Sequence, residues 1–341
     1  MLWFASDYME GAHPSILEKL LETNLCHTAG YGGDEYSQAA REKIRAACQC
    51  PDAEIHFLAG GTQANAVVIA AMLAPYQGVI APETGHINVH EAGAIEAGGH
   101  KVLSLPQQNG KLRAEDIGQC AGAYAGDANR DHIVMPGMVY ISQPTEYGTI
   151  YSLEELEDIS RTCRRYGLKL FLDGARLAYA LACRENTASL ADIARLCDVF
   201  YIGGTKCGAL FGEAVVFPKP GTVPHFFSIV KQMGALLAKG RIAGIQFDVL
   251  FTDGLYRKIG KAAVEQADRI RAALREKGYQ LYCEGPTNQV FFEIGNDKLR
   301  RLSDSVQMSF MEALPGNRSV MRFATSWATD EKDVDRLIAL L

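Results

Sequence analysis

The chain contains 341 residues, of which 48 % are hydrophobic and 22 % charged, so it can bury a full core and is too apolar for a disordered protein. A formal net charge of −6 without any basic run argues against nucleic acid or an anionic membrane as the main partner. Nine cysteines without CxxC spacing predict reduced thiols in a cytoplasmic protein, and no apolar run approaches the roughly 20 residues that span a bilayer.

The first predicted elements are an arm and two helices. Residues 1–14 predict an irregular arm. An apolar stripe behind Ser15, a candidate N-cap, predicts a helix over residues 15–25, and a second helix is predicted over residues 37–50. The glycine-rich residues 30–34 predict the loop between them.

Short apolar segments then alternate with helical ones. The predicted strands cover residues 55–58, 79–81, 100–105, 138–142, 168–172 and 198–202. A helix after residue 60 is predicted to end near residue 73, and the helix over residues 153–166 begins with a capping box of Ser152 and Glu155. This βαβ rhythm predicts an α/β fold with a mostly parallel sheet flanked by helices. Ligands of such sheets bind at the carboxyl ends of the strands.

The pattern changes near residue 250. A long helix is predicted over residues 258–277 and a last helix over residues 331–341. Short strands are predicted between them, near residues 279–282, 290–294 and 321–324. We therefore expect a large domain over residues 15–250 and a small C-terminal α+β domain over residues 251–341.

Two charged residues follow the ends of neighbouring predicted strands. Asp173 opens the segment Asp173–Arg176, and Lys206 follows a Gly-Gly-Thr turn. A carboxylate at the end of an apolar strand needs a cationic partner, and a lysine among glycines and apolar residues is poised for a lowered pKa. Pyridoxal phosphate meets both needs, because a lysine bonds its aldehyde and a carboxylate keeps its pyridine nitrogen protonated. A helix N-cap and a surface lysine remain the structural alternatives.

A glycine-rich turn joins the predicted strand at residues 55–58 to the following helix. Gly60 and Gly61 allow close backbone approach, and Thr62 and Gln63 begin a helix whose free N–H groups favour a phosphate. The pattern matches neither a P-loop nor a dinucleotide fingerprint. A turn that simply needs glycine is the alternative.

His86 and Glu91 follow another predicted strand end. His86 can stack on a cofactor ring or exchange protons near neutral pH, and Glu91 is a second proton-transfer candidate. Both residue types are also ordinary at the start of a helix. His86 and His90 are four residues apart but lack the HExxH order, so we expect no metal site.

Four cationic residues are candidates for binding anions. Lys239 and Arg241 can supply positive charge to a phosphate, Arg322 can bind a substrate carboxylate, and Arg176 can bind a substrate carboxylate or the ring hydroxyl of the cofactor. Taken alone, Lys239, Arg241 and Arg322 are most often surface charges, and a surface arginine is the alternative for Arg176.

Taken in order, these motifs resemble the threonine aldolase / β-eliminating lyase family, and within it the low-specificity threonine aldolase branch. The resemblance spans nearly the whole chain, and its matching stretches are Ser6-Asp7, residues 30–34, residues 61–65, Gly85-His86 with residues 91–93, residues 173–176, Lys206 and Arg322. It implies fold type I of the pyridoxal-phosphate enzymes.

The resemblance also implies roles for single residues. Lys206 bonds the cofactor, Asp173 pairs with its pyridine nitrogen, and His86 stacks on its ring. Its phosphate is bound by Gly61, Thr62 and Gln63. The substrate carboxylate is bound by Ser6, Arg176 and Arg322. A homodimer or homotetramer is implied, with Tyr31 and the Lys239/Arg241 segment reaching the neighbouring subunit's site.

Two stretches depart from the family pattern. The usual arginine shortly after Ser6-Asp7 is missing from residues 8–13. The loop after the strand at residues 138–142 lacks the family's histidine that helps hold the substrate hydroxyl, and Thr145 or Glu146 can substitute for it.

The predicted function is retro-aldol cleavage of a β-hydroxy-α-amino acid, of the L-threonine or L-allo-threonine type, to glycine and an aldehyde. The same residues also suit β-elimination to ammonia and a 2-oxo acid, because both reactions use one carbanion-stabilising apparatus. A third interpretation is a non-catalytic scaffold on the same fold. The intact Asp173, Arg176 and Lys206 argue against it.

Overall fold

The computed structural model describes all 341 residues. Its strands are β1 Leu2–Trp3, β2 Glu54–Leu58, β3 Gln77–Pro82, β4 Val102–Leu105, β5 Met135–Ser142, β6 Lys169–Asp173, β7 Val199–Gly203, β8 Glu213–Phe217, β9 Gln289–Gly295, β10 Val306–Gln307, β11 Ser309–Leu314 and β12 Arg318–Ala324. Its helices are α1 Pro14–Glu22, α2 Glu35–Ala47, α3 Gly61–Met72, α4 His86–Val89, α5 Ala94–Ala97, α6 Ala114–Gly126, α7 Leu153–Tyr166, α8 Leu177–Ala182, α9 Leu190–Leu196, α10 Phe226–Gln232, α11 Arg241–Leu250, α12 Leu255–Glu276, α13 Asn296–Ser303 and α14 Glu331–Leu340.

A seven-stranded sheet forms the centre of the molecule. Its strand order is β2-β8-β7-β6-β5-β3-β4, and every strand except β8 runs in the same direction. The mostly parallel α/β fold predicted from the sequence is therefore confirmed. Two adjacent carboxyl ends, those of β5 and β6, meet where Ser142 pairs with Asp173.

Both faces of this sheet are covered. Val139 and Leu172 belong to one core cluster, whereas Tyr140 and Phe171 belong to a second cluster on the opposite face. Successive side chains of a strand point to opposite faces, so Asp173 lies on the same face as Tyr140. The second cluster also contains the buried side of α3. This alternation brings the end of β6 next to the start of α3.

The C-terminal part forms a second, antiparallel sheet in the order β11-β12-β9. Its core includes residues of α12 and α14, and also Leu2 and Phe4 of the N-terminal arm. The arm therefore packs on these C-terminal elements, and β1 pairs with β10. The prediction of an irregular arm is wrong at Leu2–Trp3, because its register partners lie about 300 residues away in sequence. The boundary at residue 250 stays a prediction.

Other differences arise where a local pattern was weak. The segment predicted as a strand near residues 279–282 forms only one isolated bridge, between Leu281 and Phe292. The first helix begins at Pro14, and the His13 ring, rather than Ser15, accepts a backbone hydrogen bond at its start. None of the helices combines the length and apolar content needed to cross a lipid bilayer.

Candidate active site

Asp173 is buried at the carboxyl end of β6 and accepts several hydrogen bonds. The Tyr140 hydroxyl donates to Oδ2 at 2.5 Å, Asn65 Nδ2 lies 3.3 Å from the same oxygen, and the Ala175 N–H donates to Oδ1 at 2.9 Å. Burial alone raises the pKa of Asp173, but the charge of His86 and hydrogen bonds from Tyr140, Tyr201 and the Ala175 N–H outweigh it, so the pKa is lowered. Asp173 is therefore held as a carboxylate.

His86 is joined to Asp173 through two hydrogen-bonded branches. In the first, Asn65 Nδ2 donates to Glu91 Oε1 at 2.8 Å, and the same oxygen lies 2.8 Å from His86 Nδ1. Glu91 is buried, whereas the His86 side chain is about one third exposed. The buried carboxylate thus fixes one ring nitrogen of His86 and leaves the other available.

The second branch runs through the end of β5. The Ser142 hydroxyl lies 3.4 Å from the Tyr140 hydroxyl and donates to Glu146 Oε1 at 2.7 Å. The His86 backbone N–H donates to the same Glu146 oxygen at 3.0 Å. Burial raises the pKa of Glu146, and the Ser142 hydrogen bond opposes this rise. We call this set of hydrogen-bonded side chains the polar network. Its members are Asn65, His86, Glu91, Tyr140, Ser142, Glu146 and Asp173.

Several buried atoms of the polar network have no partner within the chain. They include Asn65 Oδ1, Glu91 Oε2 and Glu146 Oε2. Buried polar atoms are nearly always hydrogen-bonded in folded proteins. These three atoms therefore indicate a polar ligand beside the network.

Lys206 lies in the turn that follows β7. It forms no salt bridge, and its Nζ lies 6.0 Å from the centre of the Tyr8 ring. Burial lowers the pKa of Lys206, the Arg176 charge lowers it further, and Asp7 and Asp173 offset part of the effect. A larger neutral fraction makes the amine a better nucleophile toward a carbonyl group.

The N-terminus of α3 has the features of an anion site. Gly60 is its N-cap residue, and no side chain caps the helix. The N–H groups of Gly61, Thr62 and Gln63 consequently have no backbone acceptor in the chain. A Cβ at Gly61 would lie 3.0 Å from the Tyr201 hydroxyl, which explains the glycine. The Gln63 side chain accepts from the Ala59 N–H at 3.0 Å and so closes the turn.

Arg176 is engaged by a residue of the N-terminal arm. Its Nε and Nη2 donate to the two carboxylate oxygens of Asp7, at 2.6 and 2.9 Å. Asn288 Nδ2 donates to Asp7 as well, at 2.8 Å. Burial raises the pKa of Asp7, but the Arg176 charge and hydrogen bonds lower it to about 2. Only Nη1 of Arg176 is left for the predicted contact with a substrate carboxylate.

Arg322 is a half-buried cation without a carboxylate partner. Its Nη1 donates to Gln289 Oε1 at 2.9 Å, and its Nη2 lies 3.1 Å from both the Ala5 carbonyl and the Ser309 hydroxyl. Its Nε is buried and unpaired. Burial and the charge of Arg176 lower the pKa of Arg322 to about 10. An anionic ligand beside Arg322 would offset the free-energy cost of removing its charge from water. Ser6 is buried between Ala5 and Asp7, the arm residues that contact the two arginines.

Tyr31, Lys239 and Arg241 gather at another place. The Tyr31 N–H donates to the Ala238 carbonyl at 3.0 Å, and Lys239 is exposed. The Arg241 guanidinium donates to two carbonyl groups near the end of α1. None of the three forms a hydrogen bond or salt bridge with the polar network or Lys206 of its own subunit.

Comparison with known proteins decides the family. A family model for β-eliminating lyases matches residues 4–297. The chain belongs to the β-eliminating lyase family. It is 31 % identical over 340 residues to the low specificity L-threonine aldolase of Pseudomonas sp. strain NCIMB 10558, which covers 98 % of this chain and 96 % of that relative.

Solved structures agree with this assignment. A Leishmania major threonine aldolase is 43 % identical, with a TM-score of 0.97 over 100 % of this chain and 98 % of that one. A mutant aspartate aminotransferase of Thermus thermophilus is 17 % identical, with a TM-score of 0.72 over 99 % and 95 % of the two chains, and shows the fold alone. This family member is therefore a pyridoxal phosphate-dependent lyase of fold type I.

The residues of this lyase fit the cofactor. The Asp173 carboxylate suits a protonated ring nitrogen, and the Lys206 amine suits the aldehyde. The start of α3 has no side-chain cap, so it offers three free N–H groups to a phosphate. The buried atoms of the polar network that lack a partner are available for polar contacts with a ligand. The assignment of individual roles stays a prediction.

Five residues in or beside this site were not singled out from the sequence. Tyr140, Ser142, Tyr201 and Glu213 lie in the buried strands β5, β7 and β8, and Asn65 lies one turn into α3. Glu213 accepts a hydrogen bond from the Thr205 hydroxyl, in the turn before Lys206. The tyrosines are indistinguishable from core aromatics in a sequence, because the direction of a hydroxyl depends on the neighbouring strands. Glu213 and Asn65 carried a usable signal, since a polar residue in a buried segment requires partners.

Proposed function

We propose that this lyase cleaves the Cα–Cβ bond of β-hydroxy-α-amino acids of the L-threonine and L-allo-threonine type, releasing glycine and an aldehyde. The observation that carries the proposal is the polar network, which joins His86 and two glutamates to Asp173. The relatives named low specificity L-threonine aldolase support the same reaction.

Four parts of the chain hold the cofactor in this proposal. Lys206 would bond its aldehyde, Asp173 would accept a hydrogen bond from its ring nitrogen, His86 would contact its ring, and the N-terminus of α3 would hold its phosphate. Bound pyridoxal phosphate supplies an electron-withdrawing ring that stabilises negative charge at the substrate Cα. The protein's contribution is to hold and orient the two reactants and to move protons.

Bond cleavage requires removal of the β-hydroxyl proton. Nδ1 of His86 is hydrogen-bonded to Glu91, so Nε2 of His86 is the nitrogen available to accept this proton. The buried Glu91 carboxylate then stabilises the cationic imidazole. Glu91 and Glu146 each have an unpartnered carboxylate oxygen and are the other candidates for contacting the hydroxyl.

The substrate carboxylate has its own set of donors. Arg322 is a half-buried guanidinium that lacks an anion, and Nη1 of Arg176 remains available. Ser6 lies between the arm residues that touch both. Together they orient the amino acid so that the Cα–Cβ bond faces the proton acceptors.

We propose further that the functional unit is a cytoplasmic homodimer or homotetramer with shared active sites. Tyr31, Lys239 and Arg241 then belong to the neighbouring subunit's site, where Lys239 and Arg241 add positive charge for the phosphate. Large apolar side chains exposed on or beside α1 and α10 support an interface; they are Leu17, Leu21, Leu25, Phe227 and Met233. Nine free cysteines support a reducing compartment.

Product analysis tests the reaction. The purified protein is incubated with L-allo-threonine, L-threonine and L-phenylserine, and glycine, aldehyde and ammonia are assayed together. We expect equal amounts of glycine and aldehyde, and none from Lys206→Ala, because that variant lacks the amine that bonds the cofactor. Ammonia with a 2-oxo acid and no glycine would instead assign β-elimination, and full activity of Lys206→Ala would overturn the scheme.

A further inference from the structure

A buried glutamate lies against the turn that carries Lys206. Glu213 is the first residue of β8 and pairs with Gly203, the last residue of β7. The Thr205 hydroxyl donates to Glu213 Oε1 at 2.8 Å, and the Gly204 N–H lies 3.2 Å from Oε2. The Gly212 N–H donates in turn to the Thr205 hydroxyl oxygen at 3.0 Å. Both carboxyl oxygens of Glu213 are thus used by the lysine turn.

This carboxyl group is costly where it lies. Glu213 is only 2 % exposed, and the rest of β8, Ala214–Phe217, is apolar and fully buried. Packing alone would favour an apolar side chain at this position. Burial raises the pKa of Glu213 to about 8, and the charge of Lys206 acts against this rise. The group can therefore change its charge near neutral pH.

We propose that Glu213 is a positioning residue for Lys206, because its carboxyl group fixes the Gly204–Lys206 turn through two hydrogen bonds. Once ionised, the same carboxyl group adds a negative charge that favours the protonated Lys206 amine. The inference rests on the proposed attachment of the cofactor to Lys206. It goes beyond that role by assigning a purpose to a carboxyl group outside the polar network.

The chain offers a matched pair of substitutions. Glu213→Gln keeps the size of the side chain, but its amide has one acceptor oxygen for two donors and turns an NH₂ group toward one of them. Glu54→Gln is the same change on β2, where Glu54 pairs with Phe217 at the opposite end of the β2–β8 pair. The remaining charges acting on Lys206 come from Arg176, Asp7 and Asp173, and both variants leave them in place.

Two measurements of the bound cofactor and of its affinity do not depend on turnover. The first is a pH titration of the visible absorbance of the bound cofactor. In Glu213→Gln the midpoint should fall by at least about 0.5 pH unit, because a nearby carboxylate favours the protonated form of a cationic nitrogen. The second is the affinity of the apoenzyme for pyridoxal phosphate, which should weaken about tenfold when the turn loses a hydrogen bond to a charged group. Glu54→Gln should match the wild-type protein in both.

A second pair of variants tests the proposal independently, in case Glu213→Gln does not fold. Thr205→Val removes the hydroxyl that donates to Glu213, and Thr205→Ser keeps it. We expect the valine variant to show weakened cofactor affinity and the serine variant to resemble the wild type. Wild-type midpoint and affinity in Glu213→Gln, or equal behaviour of the two Thr205 variants, would overturn the proposal.

Failure of the proposed reaction is separable from failure of this inference. Borohydride reduction followed by peptide mapping locates the cofactor in the wild-type protein. Cofactor on Lys206 without glycine formation would reject the aldolase reaction, while the absorbance and affinity shifts would still support Glu213. Cofactor on another lysine would overturn both.

Discussion

Asp7 and Asp173 are buried aspartates whose pKa is lowered by different neighbours. Asp7 is neutralised by the guanidinium of Arg176, with which it shares two hydrogen bonds. Asp173 has no salt-bridge partner, and its carboxylate depends on the more distant His86, when that ring is protonated, and on hydroxyl and N–H donors. The difference separates a structural ion pair from a carboxylate able to meet a cationic ring nitrogen.

The Asp7–Arg176 pair should make folding stability pH-dependent. The pKa of Asp7 falls from its ordinary 3.8 to about 2 in the folded chain, which corresponds to about 2 kcal/mol. A lowered carboxyl pKa contributes stability above about pH 4, and this contribution is lost as the pH falls through about 2. Asp7→Asn should therefore cost at least about 2 kcal/mol at pH 7, since it also leaves the largely buried Arg176 guanidinium unpaired.

Urea unfolding at pH 7 and at lower pH measures this difference. Asp116→Asn is the control, because its pair with Arg113 is similar in length, 2.7 Å, but lies at the surface, where ion pairs contribute little. A wild-type stability curve that is flat between pH 4 and pH 2, or equal losses in the two variants, would contradict the expectation.

The structure distinguishes the two residues that were left open in the loop after β5. Thr145 is buried, and its hydroxyl lies 2.7 Å from that of Thr149. Glu146 contacts His86 through one oxygen and keeps the other unpartnered. Glu146 is thus the better candidate for holding the substrate hydroxyl.

Glu146→Gln tests this choice. The variant keeps a hydrogen bond at one oxygen position but cannot exchange a proton, so kcat on L-threonine should fall about 10² to 10⁴-fold. Steady-state kinetics compares this variant with Glu83→Gln. Glu83 is an exposed glutamate near the same strand ends. An unchanged kcat with a raised KM would restrict Glu146 to binding.

At the scale of elements, close backbone contacts fix how helices approach one another. Gly260 of α12 packs directly on α8, and a Cβ at this position would lie 2.1 Å from the Ala178 carbonyl oxygen. No side chain larger than hydrogen fits there without separating the two helices. α8 follows the turn that begins at Asp173, so this contact also supports the site.

Gly260→Ala should therefore destabilise the protein by about 2 kcal/mol or more, although alanine is the better helix former. Gly126→Ala in α6 is the same change with no atom within 4 Å of the new carbon, and should be neutral or stabilise by up to about 1 kcal/mol. Thermal unfolding of both variants checks the pair, and equal effects would refute the packing argument.

Elements with a strong local signal were predicted closely. The capping box at Ser152 begins α7, and the helix ends at Tyr166 as expected, before a glycine with positive φ. β8 was missed because it follows β7 after a short turn without a crossover helix, so nothing in the βαβ rhythm announces it. It nevertheless supplies Glu213.

At the scale of the whole molecule, the predicted site residues fall into two separate groups. Asp173, His86 and Lys206 share one end of the sheet, whereas Tyr31 and Lys239 lie together elsewhere. A dimer with twofold symmetry can bring the second group of one subunit to the first group of its partner.

Subunit mixing tests this arrangement. Lys206→Ala and Lys239→Ala should each have low activity, but a mixed dimer contains one site with both lesions and one site with neither. Denaturing and refolding equal amounts together should restore about a quarter of the wild-type activity, because half of the dimers are mixed. Glycine formation is the readout. No recovery in a mixture that forms mixed dimers would place both residues in one subunit's site.

The sequence by itself determined the fold class and the cofactor, and it predicted Asp173, His86 and Lys206, which the structure places at one end of the sheet. Those features depend on local patterns: apolar segments of strand length, a glycine-rich helix start, and Asp173 and Lys206 at strand ends. The arm's contact with β10 and the engagement of Arg176 by Asp7 were decided only by the tertiary structure, as were the polar network and the place of Glu213. Each of these joins segments distant in sequence, and hydrogen-bond direction and burial arise only when strands and helices pack.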